Sequence, residues 1–502
     1  MDAKTDYRQD IATALRSTAG MMLGLAIIAL SGCVTVGPDY TPPQMNVPEQ
    51  WSAELTDSVI PEAPDAKSMA RWWSALNDPL LTGLMEEAIG ENHDLRNAKA
   101  RVREARARRN ISRAGLFPSV DASGSFSKRR GSEDTGSGAE TELYTTGFDA
   151  GWELDLFGGT RRAVEAAEAD LEAGREDLRD VLVTLMSEVA LNYVELRSAR
   201  SRLLIAGANL AAQAETFSIT QWRFMAGLTT ELDVEQARYS LEQTRAQLPS
   251  LEVSAEQAES RIAVLLGKHP GSLKERLAGS SPIPSSPPDI AVGIPADVLR
   301  LRPDVRRAER RLAAQTARVG VAAADLYPKF RLSGSIGVEA LTLDNLFLYT
   351  SRTFGISPGF SWNIFDASKI RQNIEVQNAL QEQLLIQYEQ AVLTALADVE
   401  NALVAYTREQ VRMHSLREAS MAAQRASDLA QSQYASGLID FQAVLIAQRA
   451  SLSLQDQLAS SEADVTSNLI RLYKALGGGW IAISETEEQQ FFIKGEDNET
   501  TQ

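Results

Sequence analysis

Two periodicities run along this chain. In residues 143–157, Tyr144, Phe148, Ala150, Trp152, Leu154 and Leu156 alternate with Thr145, Asp149, Glu153 and Asp155. Residues 120–127 set Val120, Ala122 and Phe126 against Asp121, Ser123, Ser125 and Ser127. Later, Phe330, Leu332, Ile336 and Val338 oppose Arg331, Ser333, Ser335 and Glu339. Likewise Phe354, Ile356, Phe360, Trp362 and Ile364 oppose Ser357, Ser361 and Asn363. A period of two with one apolar face marks half-buried strands, so strand pairs are predicted over 119–157 and 329–365. Pro118 and Pro328 stand where helix gives way to strand, a position that tolerates proline.

The rest of the pattern recurs at threes and fours. Leu178, Leu182, Leu185, Val189, Tyr193 and Leu196 form one stripe. Val392, Leu396, Val399, Leu403 and Tyr406 form a second, and Val465, Leu469, Leu472 and Leu476 a third. These predict helices over 160–226, 231–266, 367–436 and 440–476. The longest would extend roughly 100 Å at 1.5 Å per residue. Seams of that length exceed a globular core and point to helices packed side by side into a tall hollow cylinder.

The chain repeats itself. Residues 94–126 align with 304–336 without a gap, sharing Asp94/Asp304, Arg96/Arg306, Arg101/Arg311, Leu116/Leu326, Pro118/Pro328 and Ser-Gly-Ser at 123–125 and 333–335. The block 152–157 answers 360–365, and 224–228 answers 434–438. A tandem duplication follows, with a first repeat over 80–279, a Pro/Ser-rich linker over 280–295 and a second repeat over 296–480. Each repeat reads helix, strand pair, long helix, helix. Helix 94–116 is basic through Lys99, Arg101, Arg103, Arg106, Arg108, Arg109 and Arg113. The helix after the first strand pair opens acidic, with Glu165, Glu168, Asp170, Glu172, Glu176 and Asp177. Flanking the same strands, the two are expected to pair Arg113 with Glu165 and Arg109 with Glu168 or Glu172.

Residues 1–32 read as a signal segment. Lys4, Arg8 and Arg16 precede an apolar stretch at 19–30 that is too short to span a bilayer. It ends in Leu30-Ser31-Gly32-Cys33, and small residues before a cysteine resemble the bacterial lipobox. Cys33, the one cysteine of the chain, is therefore expected to carry diacylglycerol and an N-acyl chain. By resemblance to lipoprotein sorting signals, Val34 rather than Asp after it favours the outer membrane. Residues 33–79, rich in proline at first, are expected to form an extended tether. Residues 481–502 look like an acidic, disordered tail.

With the anchor in place, the strands acquire a setting. Segments of about ten residues cross an outer membrane at a tilt. Four strands cannot close a barrel, and open edges in lipid are costly, so the barrel must be shared among copies. Two copies give eight strands and three give twelve. Formal net charge is −17, which argues against nucleic acid as a partner. One cysteine excludes a disulfide framework, and three scattered histidines (His93, His269, His414) give no metal-ligand spacing. No phosphate loop or nucleophile elbow is present, so no enzyme activity and no cofactor beyond the acyl chains are expected.

The motifs in order resemble those of the TolC-like outer-membrane factors, in the OprM/NodT-like lipoprotein branch of resistance–nodulation–division (RND) efflux systems. They include Cys33 followed by Gly37-Pro38-Asp39-Tyr40 and Pro43, Trp72-Trp73, Asp78-Pro79-Leu80 and Asp155-Leu156-Phe157-Gly158. Leu232-Asp233-Val234, Leu265-Leu266-Gly267 and Arg302-Pro303-Asp304-Val305-Arg306 continue the series. The resemblance implies a mainly α protein with a transmembrane β-barrel: a homotrimer with twelve strands, four per chain, on a periplasmic helical barrel. It implies an exit duct for drugs or other small molecules, fed by a periplasmic adaptor protein and an inner-membrane RND-type transporter. Gly227, Leu228, Thr229, Gly437, Leu438 and Ile439 then fall at the tips where the adaptor docks. Tyr434 and Arg449 match positions near the closed aperture. Gln442 and Ile446 depart from the family pattern there, and Asp233 and Glu235 are candidates for a negative ring in place of the usual one. A duct for type I protein secretion and a non-transporting envelope spacer are the other readings; a spacer needs no strands.

Overall fold

A computed structural model of the chain describes residues 35–53, 59–60, 66–279, 282–285 and 290–480. The main elements are α1 (Pro79–Glu91), α2 (His93–Ala114), β1 (Ser119–Arg130), β2 (Glu140–Leu154), α3 (Gly159–Met225) and α4 (Glu231–Leu265). They continue with α5 (Pro303–Ala324), β3 (Lys329–Ala340), β4 (Arg352–Ser361), α6 (Lys369–Ala435) and α7 (Phe441–Ala475). Helices α3 and α6 are both 67 residues long, and α4 and α7 both 35, so the duplication is kept to the residue.

The chain divides into two compact units. One holds the sheet with the helix segments that border it (102–174 and 308–388) and residues 35–44; the other holds the remaining helical segments. The sheet is antiparallel throughout, in the order β1-β2-β3-β4. Gly147 faces Gly337 at its centre, where a Cβ on either would lie 2.7 Å from a carbonyl oxygen of the other strand. The strands stop at Leu154 and Ser361, so Leu156, Trp362 and Ile364, expected in the strands, lie beyond their ends.

Trp152 Nε1 donates to Leu116 O at 3.0 Å, and Trp362 Nε1 donates to Leu326 O at 3.0 Å. Trp362 is thus the twin of Trp152. The block at 152–157 corresponds to 362–367, not to 360–365.

In the helical unit the apolar stripes are the core. Leu182, Leu185, Val189, Tyr193 and Leu196 join Val399, Leu403, Tyr406, Leu469 and Leu472 around Trp72, Leu81, Leu84 and Met85, all buried. Each such aliphatic side chain removed from water contributes about 1.5–3 kcal/mol. Trp72 stacks on Tyr473 with ring centroids 5.3 Å apart. Two expectations fail here. The tether over 33–79 is not extended throughout: Ala66–Ala70 and Trp72–Leu76 are helical turns, and Trp72 and Trp73 are core residues. Nor is 280–295 a free linker. Val59–Ile60 pairs in parallel with Ile290–Ala291, and Ile290 and Val292 are buried. The apolar residues between the prolines outweigh the composition.

Acidic residues of α3 meet α5 more than α2. Arg109 Nε reaches Glu168 at 3.2 Å, as expected. Glu165, however, pairs with Arg162 of its own helix at 2.8 Å, and Glu172 with Arg310 at 3.2 Å. Arg318 holds Asp170 at 2.5 Å, and Arg307 holds Asp177 and Asp180 at 2.9 and 2.7 Å. Helix α5 starts on Pro303, suited to a first turn, with Arg302 buried beneath it. Arg302 donates to Asp304 (3.0 and 2.7 Å), Asp398 (2.9 Å) and Ala475 O (3.0 Å). Burial opposes ionisation of Asp304, but the Arg302 bonds overcome it and lower its pKa. A carboxylate with a depressed folded pKa adds stability above its unfolded pKa, near 3.9, and loses it as pH falls through the folded value. Asp304→Asn is therefore expected to destabilise the protein by about 3 kcal/mol at neutral pH, the scale of a broken buried pair. That difference should shrink below about pH 4. Denaturant titrations of both proteins at pH 7 and pH 3 check it; an equal gap at both pH values contradicts it.

Candidate functional site

Three features stand out: a two-faced sheet, a strap at its foot and two matching hairpin turns.

Residues in register across the sheet sort by chemistry. One face carries Ala122, Phe148, Ile336 and Phe354 in a row, then Phe330 beside Phe360. Phe148, Ile336, Phe354, Ile356 and Phe360 are all more than half exposed. Asp121, Asp149 and Ser335 make a row on the other face, with Ser123, Ser125, Arg331, Ser333 and Ser357 around them. Ser123 Oγ donates to Asp149 at 2.9 Å, and Ser125 and Thr145 hydroxyls meet at 2.7 Å. Strands β1 and β4 are the sheet's edges. Such a sheet suits lipid on one side and water on the other. Among the described residues no helix is long and apolar enough to cross a membrane.

The strap is the motif Gly37-Pro38-Asp39-Tyr40. Val36 N donates to Phe157 O at 3.1 Å, just past the end of β2. Arg162, nearly buried, donates to Val36 O (3.2 Å), Gly37 O (3.4 Å) and Asp39 (2.6 Å). Gly37 has φ +90°, and a Cβ there would sit 2.4 Å from Gly320 Cα. Tyr40 donates to Glu309 at 3.2 Å beneath the Arg310 guanidinium. Burial and the Glu309 charge push its phenol pKa up. The strap therefore clips the start of α3 to α5. Neither Arg162 nor Gly320 stood out in the sequence; only their partners lay in a recognisable motif. Cys33 lies outside the described residues.

The turns after α3 and α6 are the same structure. Gly227 (φ 69°) and Gly437 (φ 76°) are left-handed. Leu228 N donates to Arg223 O at 2.8 Å and Leu438 N to Gln433 O at 2.9 Å, closing Schellman motifs. Leu228 and Leu438 point outward, 67% and 74% exposed. Thr229 and Ile439 turn inward: Ile439 packs on the Tyr434–Phe441–Val444 cluster, and Thr229 donates to Asp233 at 2.6 Å. Thr230 caps α4 through a reciprocal capping box with Asp233. These hydroxyl and backbone bonds lower the Asp233 pKa despite burial. Glu235 pairs with Arg238 at 3.1 Å. Both carboxylates of the suggested negative ring are thus already engaged within the chain.

Tyr434 is 2% exposed, and its hydroxyl donates to Thr220 at 3.3 Å. Arg223 lies over its ring at 4.7 Å and donates to its carbonyl at 2.7 Å. Gln448 donates to Thr216 at 2.8 Å. Arg449, Gln442 and Ile446 share an exposed face of α7, and Arg449 sits 5.3 Å from the Tyr239 ring. Tyr434 and Arg449 therefore have separate partners. Thr216, Thr220, Arg223 and Gln448 were missed in the sequence, although Thr216 and Thr220 are one helical turn apart.

This sheet-and-hairpin architecture is that of an outer-membrane channel protein. The family described as "Outer membrane efflux protein" matches residues 84–268 and 294–478, once per repeat. The chain belongs to this family and is an outer-membrane efflux channel protein. It is 35% identical over 426 residues to Nodulation protein T of Rhizobium leguminosarum bv. trifolii, covering 82% of this chain and 88% of that one. It is 34% identical to the pyoverdine export outer membrane protein OpmQ of Pseudomonas putida, over 92% of this chain and 98% of that one. The solved outer-membrane channel OprN superposes with a TM-score of 0.83 at 37% identity, covering 89% of this chain and 99% of that one. The open-state MtrE channel of Neisseria gonorrhoeae gives 0.78 at 28% identity, over 89% and 98%.

Gly37→Ala is expected to release the strap without unfolding the sheet, because the new methyl meets backbone rather than a yielding side chain. Amide exchange at Val36 should speed up; unchanged protection contradicts the clip. Tyr434→Phe should cost about 1 kcal/mol in a denaturant titration, the net value of one hydrogen bond.

Proposed function

We propose that three copies of the chain close a twelve-stranded barrel and form the passive exit duct of a tripartite pump. An inner-membrane RND-type transporter and a periplasmic adaptor would deliver drugs or other small molecules to it. The observation that carries this reading is the sheet: one face apolar, one polar, and an unpaired edge on each side. An open edge in lipid leaves backbone groups unsatisfied at several kcal/mol each, and three copies in a ring remove every edge. Cys33 carries the acyl chains, and the strap beginning at Val36 ties that end of the chain to the sheet. Leu228 and Leu438, held outward by their Schellman turns, are the adaptor contacts. Ile446, Gln442 and Arg449 form the exposed face of α7 that borders the aperture.

In a planar bilayer the purified protein should give long-lived conductance steps; a sealed bilayer rejects the duct. Photo-cross-linkers at 228 and 438 in cells should capture a periplasmic adaptor; capture of none removes the tip assignment. Cys33→Ser with a cleavable signal should still assemble, because the strap and sheet are independent of the acyl chains. Loss of the trimer in that variant contradicts an auxiliary role for the lipid.

A further inference from the structure

The two strand pairs differ at the ends farthest from the helices. Residues 131–139, which join β1 to β2, read Gly-Ser-Glu-Asp-Thr-Gly-Ser-Gly-Ala, a polar loop. Residues 341–351, which join β3 to β4, read Leu-Thr-Leu-Asp-Asn-Leu-Phe-Leu-Tyr-Thr-Ser, with Asp344 the one charge. Leu341, Leu343, Phe347 and Tyr349 are 60–79% exposed. The loop is nonetheless firmly built. Ser351 Oγ donates to Asn345 O at 2.7 Å and Leu348 N to Asn345 O at 3.1 Å, while Leu346 and Ser351 are buried. Large apolar side chains held outward by an ordered loop form a patch that needs a cover.

Strand register fixes the level of this loop. On the apolar face, Leu154, Phe330 and Phe360 form a row near the helices, and Tyr144 with Ala340 forms a row ten residues higher. Ten residues cover about 34 Å along a strand, or roughly 26 Å once the strand is tilted, the height of the apolar band of an outer-membrane barrel. Two residues beyond Tyr144 the face turns ionic, with Lys128 meeting Glu142 at 2.9 Å and Glu140 at 3.0 Å. Ala340 ends β3, so the loop leaves the sheet at the rim of the band, on the side away from the helices. Arg352 opens β4 opposite Val338, on the apolar side and one row below that rim. The Tyr349 ring lies 4.7 Å from the Arg352 guanidinium carbon, which brings the loop to the same face. Among the described residues Arg352 forms no ion pair. A guanidinium at that depth reaches up to the interface and seeks an anion there.

We propose that Arg352 and loop 341–351 form a seat for a phosphorylated glycolipid of the outer leaflet. The guanidinium holds a headgroup phosphate, and Leu341, Leu343 and Phe347 lie against the upper ends of the acyl chains beside it. The position of the loop argues for lipid, because it continues the apolar face of the sheet and Tyr349 ties it to that face. Charge argues for an anion, because Arg352 is a lone cation in a chain of net charge −17, whose overall field repels anions and leaves only local capture. The first strand pair offers no second seat of this kind: its cation at the rim, Lys128, is already held by two carboxylates. The inference rests on the barrel reading, in which the apolar face meets lipid, and adds to it a class of lipid and the residues that hold it.

Lipid retention tests it on the full-length protein, held in nanodiscs of phosphatidylcholine with either lipid A or phosphatidylglycerol as the minor component. Native mass spectrometry of the released protein should show lipid A retained in preference to phosphatidylglycerol. Arg352→Gln should lower lipid A retention roughly fivefold, the effect of one cation at a membrane surface. Leu343→Ser combined with Phe347→Ser should lower it as well and leave the single-channel conductance in a planar bilayer unchanged. Equal retention of the two lipids overturns the glycolipid assignment, and lipid A retention that survives Arg352→Gln overturns the seat. A double variant that conducts more and keeps its lipid A places the loop over the mouth of the duct, and overturns the seat too. An unsubstituted protein that gives no conductance steps fails the barrel reading. One that conducts normally but holds lipid A independently of Arg352 fails the seat alone.

Discussion

Hydrogen bonding of the backbone in lipid governs this molecule. Water is not available there to accept an orphan N–H, so a sheet that enters a bilayer must have no edge. Among the described residues the antiparallel sheet has four strands and two edges. Much outside the sheet can be understood as positioning those strands: each strand has a helix at one end, and the indoles of Trp152 and Trp362 tie the sheet to the ends of α2 and α5.

The helices carry a second constraint, that two repeats of one chain must hold each other in a fixed register. Ion pairs do much of this. Acidic groups on α3 face arginines on α5, while the buried Arg302 ties Asp304, Asp398 and a helix-end carbonyl together within the second repeat. Exposed pairs of this kind are individually weak, so they act as a series rather than through any one of them. The strap adds a third tie, in which a backbone-to-backbone contact at Gly37 and Gly320 allows Arg162 to bind three points of the chain start.

Much of this was legible beforehand, and the failures have physical causes. Strand faces and the helix–turn–helix order followed from periodicity alone. Aligning Trp152 with Phe360 was wrong by two residues because a slip of two leaves every side chain on its own face; the tryptophan hydrogen bonds break that degeneracy. Glu172 found Arg310 rather than an arginine of α2 because pairing between repeats leaves no trace in local spacing. Residues 280–295 read as a linker from their prolines and serines, while Ile290 and Val292 were buried. Asp233 sat three residues after Thr230, the spacing of a capping box, and that local role accounts for its carboxylate.

The open strand edges also bear on what stability means for this chain. A single copy leaves both edges of the four-stranded sheet unpaired, so in the three-copy reading folding and association are parts of one equilibrium. Such a protein has no intrinsic free energy of unfolding independent of amount. Its resistance to heat or denaturant depends on how many copies share the same membrane, and dilution alone acts as a mild denaturant.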